Sequence, residues 1–117
     1  MKIWDYVRTK HYGIHKIDNF KIFIKDELEF IVDNLNRIEI DKKDVIKSSP
    51  NIIDLIQEGD YVNGELVTAI HKDYVYDEIS LGTALETANN YTATLNEDIK
   101  TIVTKEQFES MEYRIGE

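Results

Sequence analysis

Serine and histidine are the side chains of this sequence that most often carry catalysis, and their spacing assembles no catalytic set. Ser48, Ser49, Ser80 and Ser110 all lack the GxSxG pattern that exposes a serine nucleophile. Neither a GxxxxGK[ST] nor a GxGxxG pattern is present to cradle a phosphate. The absence of cysteine excludes thiolate nucleophiles, disulfides and Cys-based zinc sites. We therefore predict that the chain is not an enzyme.

Two histidines have the spacing of a metal site on a helix. His11 and His15 are separated by four residues, which aligns two ligands on one helix face. Gly13 and the β-branched flanking residues disfavour a helix there, and no HExxH pattern accompanies the pair. We predict exposed histidines in a basic hairpin and no bound metal or other cofactor.

Carboxylates and tyrosines recur between residues 54 and 78. Paired carboxylates could support glycosidic or metal-assisted chemistry, but acidic pairs at turns are more often solvated caps. The tyrosines suit half-buried strand positions, which we favour, and also protein interfaces, where tyrosine is enriched. A protein-binding surface would combine both residue types. The candidate residues are Asp54, Glu58, Asp60, Tyr61, Asp73, Tyr74, Tyr76, Asp77 and Glu78.

The net charge is divided unequally along the chain. There are 23 acidic and 14 basic residues, for a formal charge of −9. Residues 1–25 contain six basic and two acidic side chains, so this segment carries +4 and the remaining 92 residues carry −13. Such asymmetry sets the field that a partner meets, although an acidic surface can also serve solubility alone.

The elements that must position these side chains are mainly strands. Ile, Val, Thr, Tyr, Phe and Trp together number 44, whereas Ala, Leu, Met and Gln number 15. Branched and aromatic side chains pack well on a pleated surface. With 117 residues, we predict a single domain spanning residues 1–117. We expect a mainly β fold, either a small bent antiparallel sheet or an SH3-like barrel, with one or two short helices. An α+β layer is the alternative.

Local signals place strands and turns. A hairpin is predicted from strands at 6–10 and 14–18 around Tyr12-Gly13, followed by strands at 20–25, 29–33 and 37–40. Asn63-Gly64 between β-rich segments predicts a second hairpin, because both turn residues need positive φ. Further strands are expected at 74–79, 99–103 and 112–115. Residues 82–98 could form a long excursion, a ragged hairpin around Asn89-Asn90, or a partly mobile segment.

Two sequence patterns predict the start of a helix. Ser48-Ser49-Pro50 predicts a short helix that ends at Gly59, with Ile52, Leu55 and Ile56 on one apolar face. Thr104 and Gln107 have capping-box spacing for a second helical turn. No apolar run approaches the ~18 residues of a membrane-spanning helix, so we expect no membrane association.

Three stretches of the sequence resemble short uncharacterised proteins of phages and prophages from low-GC Gram-positive bacteria. They are residues 45–56 followed by 58–64 (VIKSSPNIIDLI and EGDYVNG), residues 99–115 (IKTIVTKEQFESMEYRI), and residues 6–10 with Gly13-Ile14. Residues 81–97 have no counterpart in that pattern. The resemblance implies a mobile-element accessory protein located in the host cytoplasm.

The resemblance favours inhibition of host machinery by protein binding. We predict an inhibitor of a host defence nuclease complex, comparable to an anti-CRISPR protein, whose acidic stretch faces a basic nucleic-acid-handling partner. The alternative is a small β-barrel module in phage replication, transcription control or assembly. Its basic N-terminal face, including Lys10, Lys16 and Lys21, could contact nucleic acid. The charge of −9 opposes direct nucleic-acid binding.

Overall fold

Branched and aromatic residues form strands along most of the chain, as the composition predicts. A computed structural model describes residues 1–23 and 28–110. In these residues the strands are β1 Tyr6–Thr9, β2 Ile14–Lys16, β3 Asn19–Phe23, β4 Leu28–Asp33, β5 Ile38–Asp41, β6 Val45–Ser49, β7 Tyr61–Val62, β8 Glu65–Tyr76, β9 Ile79–Thr87, β10 Asn90–Thr94 and β11 Ile102–Val103. The helical elements are three 3-10 turns and one α-helix: Lys42–Asp44, Ile52–Leu55, Asn96–Asp98, and α1 Lys105–Ser110.

Antiparallel pairing organises the described strands into three sheets. Their strand orders are β2-β1-β6, β3-β4-β5 and β10-β9-β8-β7-β11. The predicted mainly β class is confirmed, and the arrangement is one of small antiparallel sheets. In the described part of the chain no sheet closes into a barrel, because both outer strands of the five-stranded sheet remain edges.

Positive-φ turns define the two ends of the long strand β8. Asn63 and Gly64 have φ values of 53° and 79° and join β7 to β8, which confirms the predicted hairpin. Asp77 and Glu78 have φ values of 51° and 64° and join β8 to β9. The strand predicted at 74–79 is therefore confirmed only in part, since residues 74–76 and 79 are in strands but Asp77 and Glu78 form a turn. The sequence lacked the glycine that normally marks such a turn.

The helix predicted after Pro50 is wrong in type and length. The chain forms a 3-10 turn at Ile52–Leu55 instead, and Ser49 belongs to β6. The Ser49 hydroxyl accepts a hydrogen bond from the Asn51 N–H (3.1 Å) and donates to Asp54 Oδ2 (3.1 Å). Gly59 lies in a later turn at φ 95°, and the Gly59 N–H donates a hydrogen bond to the Val67 carbonyl oxygen (3.0 Å). Pairing with β8 thus ends the helical stretch early.

Predictions near the C-terminus are confirmed in part. Thr104 Oγ1 accepts from the Gln107 N–H (3.2 Å), and Gln107 Oε1 accepts from the Thr104 N–H (3.1 Å), so the capping box forms. The strand predicted at 99–103 shortens to β11. Of the three alternatives for residues 82–98, the structure has the hairpin, with β9 and β10 joined at Ala88-Asn89. The strand predicted at 112–115 lies outside the described residues.

Two separate apolar clusters hold the sheets together. One joins the 3-10 turn at Ile52–Leu55 to the five-stranded sheet: Ile53, Ile56, Val62, Val67 and Leu85. The other joins the two three-stranded sheets: Val7, Ile17, Ile31 and Ile40. None of the described helices has the length and apolar character needed to cross a lipid bilayer.

The outer part of the β8–β9 hairpin extends beyond both clusters. The radius of gyration is 16.2 Å, compared with about 13 Å for a compact chain of this length. The extents along the principal axes are 56, 44 and 20 Å, so the molecule is flat. A flat molecule with a projecting hairpin leaves strand faces in contact with solvent.

Candidate protein-binding surface

The projecting hairpin, which we call the arm, comprises residues 71–82. Its two strands pair through Tyr74 with Gly82, Val75 with Ser80, and Tyr76 with Ile79. A bulge between His71 and Tyr74 places Asp73 at φ 55°. Bulges increase local twist and redirect side chains. The arm therefore leaves the sheet as a twisted two-stranded ribbon.

Apolar side chains at the tip of the arm are exposed. Val75, Tyr76 and Ile79 retain 59%, 66% and 60% of their accessible surface, and none belongs to either apolar cluster. Tyr76 also lines a groove of about 470 Å³ with Tyr74 and Leu81 along β10. Exposed apolar groups on a projecting element are typical of protein-binding sites. A two-stranded hairpin is only marginally stable by itself, so a partner would stabilise this one.

Three carboxylates on the arm have no basic partner in the part of the chain that the structure describes. Asp73, Asp77 and Glu78 are exposed, and no basic side chain in the described residues lies within 4 Å of them. Carboxylates elsewhere differ: Glu29, for example, pairs with Lys42 at 2.8 Å. The tip of the arm thus presents concentrated negative charge next to an aromatic and aliphatic patch, which favours a basic protein partner.

Five of the nine predicted partner-binding residues lie together on the arm. These are Asp73, Tyr74, Tyr76, Asp77 and Glu78. The sequence singled them out by type, but the hairpin brings them to one tip. Val75, Ile79 and Leu81 were not predicted, because the exposure of a strand residue depends on whether segments distant in sequence pack over it. A run of apolar strand residues normally indicates a buried position.

Asp54 and Glu58 are exposed but lie away from the tip of the arm. Both line a groove of about 520 Å³ at the base of the arm. Lys47, Lys72 and Lys105 line the same groove, so its charge is mixed. These two residues therefore belong to a second surface, which has a different electrostatic character from the tip.

Tyr61 has a structural role in packing. Its ring stacks on Phe108 of α1, with centroids 5.3 Å apart and an angle of 24° between the ring planes. Tyr61 is half-buried, whereas Phe108 is exposed. This contact agrees with the preferred interpretation of the tyrosines as strand-packing residues.

Asp60 is fully buried, so its prediction as a partner-binding residue is wrong. Its carboxylate forms a bidentate ion pair with Arg8, with Asp60 Oδ2 at 2.5 Å from Nη1 and Oδ1 at 2.7 Å from Nη2. Asp60 Oδ2 also accepts from the Gln57 N–H (2.8 Å), and Oδ1 accepts from the Lys105 N–H (2.9 Å). This carboxylate therefore links β1, the segment before β7 and the start of α1.

Arg8 is the centre of this buried link. Nη2 also donates to Glu106 Oε2 at 2.5 Å, and Nη1 donates to the Leu55 carbonyl at 2.9 Å. Burial disfavours the charged form, but the hydrogen bonds and charges of Asp60 and Glu106 outweigh it, so the pKa of Arg8 is raised above its ordinary value. In the sequence, Arg8 is one of the six basic residues of the positively charged segment 1–25. No local signal distinguishes it from the exposed lysines, because its partners are 52 and 98 residues away.

The predicted basic N-terminal face is smaller than the sequence suggested. Arg8 is removed from it by burial, and Lys21 pairs with Glu39. The Lys16 ammonium lies 5.9 and 5.4 Å from the ring centroids of Trp4 and Tyr6. Lys16 thus covers aromatic surface within the same molecule.

Both ring nitrogens of His15 contact other groups of the same fold. Its Nδ1 lies 2.9 Å from Asp33 Oδ2, and its Nε2 lies 2.8 Å from the Tyr12 carbonyl oxygen. The described residues contain no group of three or more His, Asp or Glu side chains arranged to hold a metal ion.

In the described residues, the tip of the arm is a surface suited to a protein partner, and a mixed-charge groove lies at the base of the arm. Both are open to solvent, and neither contains a catalytic arrangement of the kinds considered above. Comparison with protein-family models, curated proteins and solved structures found no match.

Proposed function

We propose that this chain is a phage-encoded accessory protein that acts by protein binding, and that it inhibits a nuclease complex of host defence in the host cytoplasm. The arm is the docking element. The observation that carries the proposal is the coincidence, on one projecting hairpin, of unpaired carboxylates and exposed apolar side chains.

The chemistry of the tip fits a basic, nucleic-acid-handling partner such as a CRISPR effector. Proteins of that class bind phosphates through clusters of Lys and Arg. Carboxylates at Asp73, Asp77 and Glu78 would compete for the same cations and would accelerate association at low salt. Tyr76 and Ile79 would supply the contact area that slows dissociation. Binding by the arm would block nucleic-acid access without any catalytic step.

Affinity purification tests the proposal. Tagged protein is incubated at low salt with lysate of a low-GC Gram-positive host that carries its defence systems, and the captured proteins are identified by mass spectrometry. We expect a basic nucleic-acid-handling protein, together with loss of its nuclease activity in a cleavage assay. Failure to recover such a protein, or recovery without inhibition, would contradict the proposal.

Matched variants locate the binding surface. Tyr76→Ala should weaken binding to the captured partner by at least about tenfold, as expected of a central aromatic contact. Asp77→Asn with Glu78→Gln should chiefly lower the association rate and its salt dependence. Glu97→Gln is the control, because Glu97 is an exposed acid on the 3-10 turn at Asn96–Asp98. Equal effects of all three changes would exclude the arm as the docking element.

The alternative is a binding module that contacts nucleic acid through its N-terminal face. One observation favours it: Trp4 is 64% exposed beside Lys16, and single strands bind to basic surfaces with exposed aromatics. A mobility-shift assay on single-stranded and duplex nucleic acid separates the two functions. Direct binding that is lost when Lys10, Lys16 and Lys21 are changed to Glu would support the module and contradict the inhibitor.

A further inference from the structure

The groove at the base of the arm is built from four separate parts of the chain. It is formed by β6, the segment containing the 3-10 turn at Ile52–Leu55, the paired strands β8 and β9, and the start of α1, and it encloses about 520 Å³. Part of its lining is apolar: Ile53, Ile56 and Ile70. Its cationic lining comes from three elements: Lys47, Lys72 and Lys105.

The charge of this groove is opposite to that of the arm's tip. Asp54 and Glu58 also line the groove, so its five charged side chains sum to +1. Among the described residues, no carboxylate lies within 4 Å of the ammonium groups of Lys72 or Lys105. The tip carries two carboxylates, Asp77 and Glu78, that have no basic side chain within 4 Å in the described residues. Groove and tip therefore complement each other in charge.

We propose that two copies of this chain exchange arms, so that the tip of each arm lies in the groove of the other copy. The apolar tip would lie over the half-buried Ile70, and the carboxylates of the tip would face the lysines of the groove. The two tip-to-groove contacts of such a dimer would be equivalent and would form at the same time. Lys72 lies on β8 and Asp77 in the turn that follows it, five residues later, so the two are separated by at most about 16 Å. A two-fold axis crossing the arm near Tyr74 therefore makes both contacts at once, as in an isologous dimer.

Dimerisation by arm exchange goes beyond the proposed function, and it would compete with the binding of a host protein to the same tip. The same tip would be covered in the dimer and free in the monomer, so a host partner would bind the monomer and draw the equilibrium away from the dimer. The dimer is tested with the purified chain alone. Its failure therefore leaves partner capture from lysate unaffected, and failure of capture leaves the dimer unaffected.

The molar mass in solution is the first test. Light scattering after size-exclusion chromatography should give twice the chain mass of 13.7 kDa at low salt, with a shift toward the monomer as salt rises. A monomer at every protein concentration up to the millimolar range would overturn the proposal.

Introduced cysteines test which surfaces meet, and the cysteine-free chain makes this straightforward. Ser80→Cys places a thiol near the tip, and Thr83→Cys places one in the groove. Mixing the two single variants under mild oxidation should give a disulfide-linked pair, identified by mass spectrometry as 80 to 83. Leu35→Cys, on the exposed turn between β4 and β5, replaces either partner as the control. Cross-linking no faster than with this control would overturn the arm exchange even if a dimer exists.

Charge variants separate the arm exchange from other dimers. Asp77→Asn with Glu78→Gln, and independently Lys72→Gln with Lys105→Gln, should each weaken the dimer at low salt by at least about tenfold. The control Glu97→Gln should leave its dissociation constant unchanged. If the groove variant dimerises as well as the original chain, the tip does not lie in the groove.

Discussion

The arm and the buried Arg8 link use the same acidic residue types in opposite ways. In the link, the Asp60 carboxylate is fully buried and receives hydrogen bonds from Arg8 and from two backbone amides. On the arm, Asp73 and Asp77 are exposed and have no basic neighbour within 4 Å in the described residues. A buried, paired carboxylate holds segments of a fold together, whereas an exposed, unpaired one is free to act on a partner.

The largest effect should come from breaking the buried link. Asp60→Ala leaves the Arg8 guanidinium buried with less compensation, which should lower the free energy of unfolding by about 3–5 kcal/mol. Chemical denaturation measures the change. The matched variant Asp77→Asn, on the arm, should alter stability by less than about 0.5 kcal/mol. Similar losses in the free energy of unfolding for the two variants would contradict the view that Asp60 stabilises the fold and Asp77 does not.

Glu106 is intermediate in burial between Asp60 and the exposed carboxylates of the arm, because its side chain is 23% accessible to solvent. Glu106→Gln keeps the shape and removes one charge from the Arg8 link, while the bidentate pair with Asp60 remains. We expect a loss of about 1–2 kcal/mol in the free energy of unfolding. A loss as large as that of Asp60→Ala would show that Glu106, rather than Asp60, is the principal partner of Arg8.

Asp33 is another buried, hydrogen-bonded carboxylate, and its contribution to the stability of the fold depends on pH. Burial tends to raise its pKa, but hydrogen bonds from Asn36 and His15 outweigh burial, so the pKa of Asp33 is lowered from 3.8. The resulting stabilisation is complete above the unfolded-state pKa and is lost as pH falls through the folded-state pKa. Thermal unfolding between pH 5 and pH 2 should therefore depend less on pH in Asp33→Asn, by an amount on the order of 1 kcal/mol. An unchanged acid profile in this variant would contradict the assignment.

The smallest effect concerns the turn of the arm. Glu78 has φ 64°, a conformation that a non-glycine residue adopts at some energetic cost. Glu78→Gly creates the Asp-Gly sequence favoured in such turns and should stabilise the arm by about 0.5–1 kcal/mol. Amide hydrogen exchange in β8 and β9 measures this, with Glu97→Gln as the control. Faster exchange in the arm would show that Glu78 makes a stabilising contact.

Features with a local cause could be predicted from the sequence. The Asn63-Gly64 turn and the Thr104–Gln107 capping box form as expected, because the determinants of each lie within four consecutive residues. The mainly β class follows from composition. The helix expected after Pro50 failed because pairing of neighbouring segments with β1 and β8 outweighs local capping.

The amino-acid sequence alone shows which residue types are available to the binding surface, namely the carboxylates and tyrosines of residues 54–78. That Asp60 is buried while Asp77 is exposed becomes visible only in the folded chain, because the environment of a carboxylate depends on groups distant in sequence. Arg8 reaches Asp60 across 52 residues, whereas no distant segment packs over the exposed tip of the arm in the described residues.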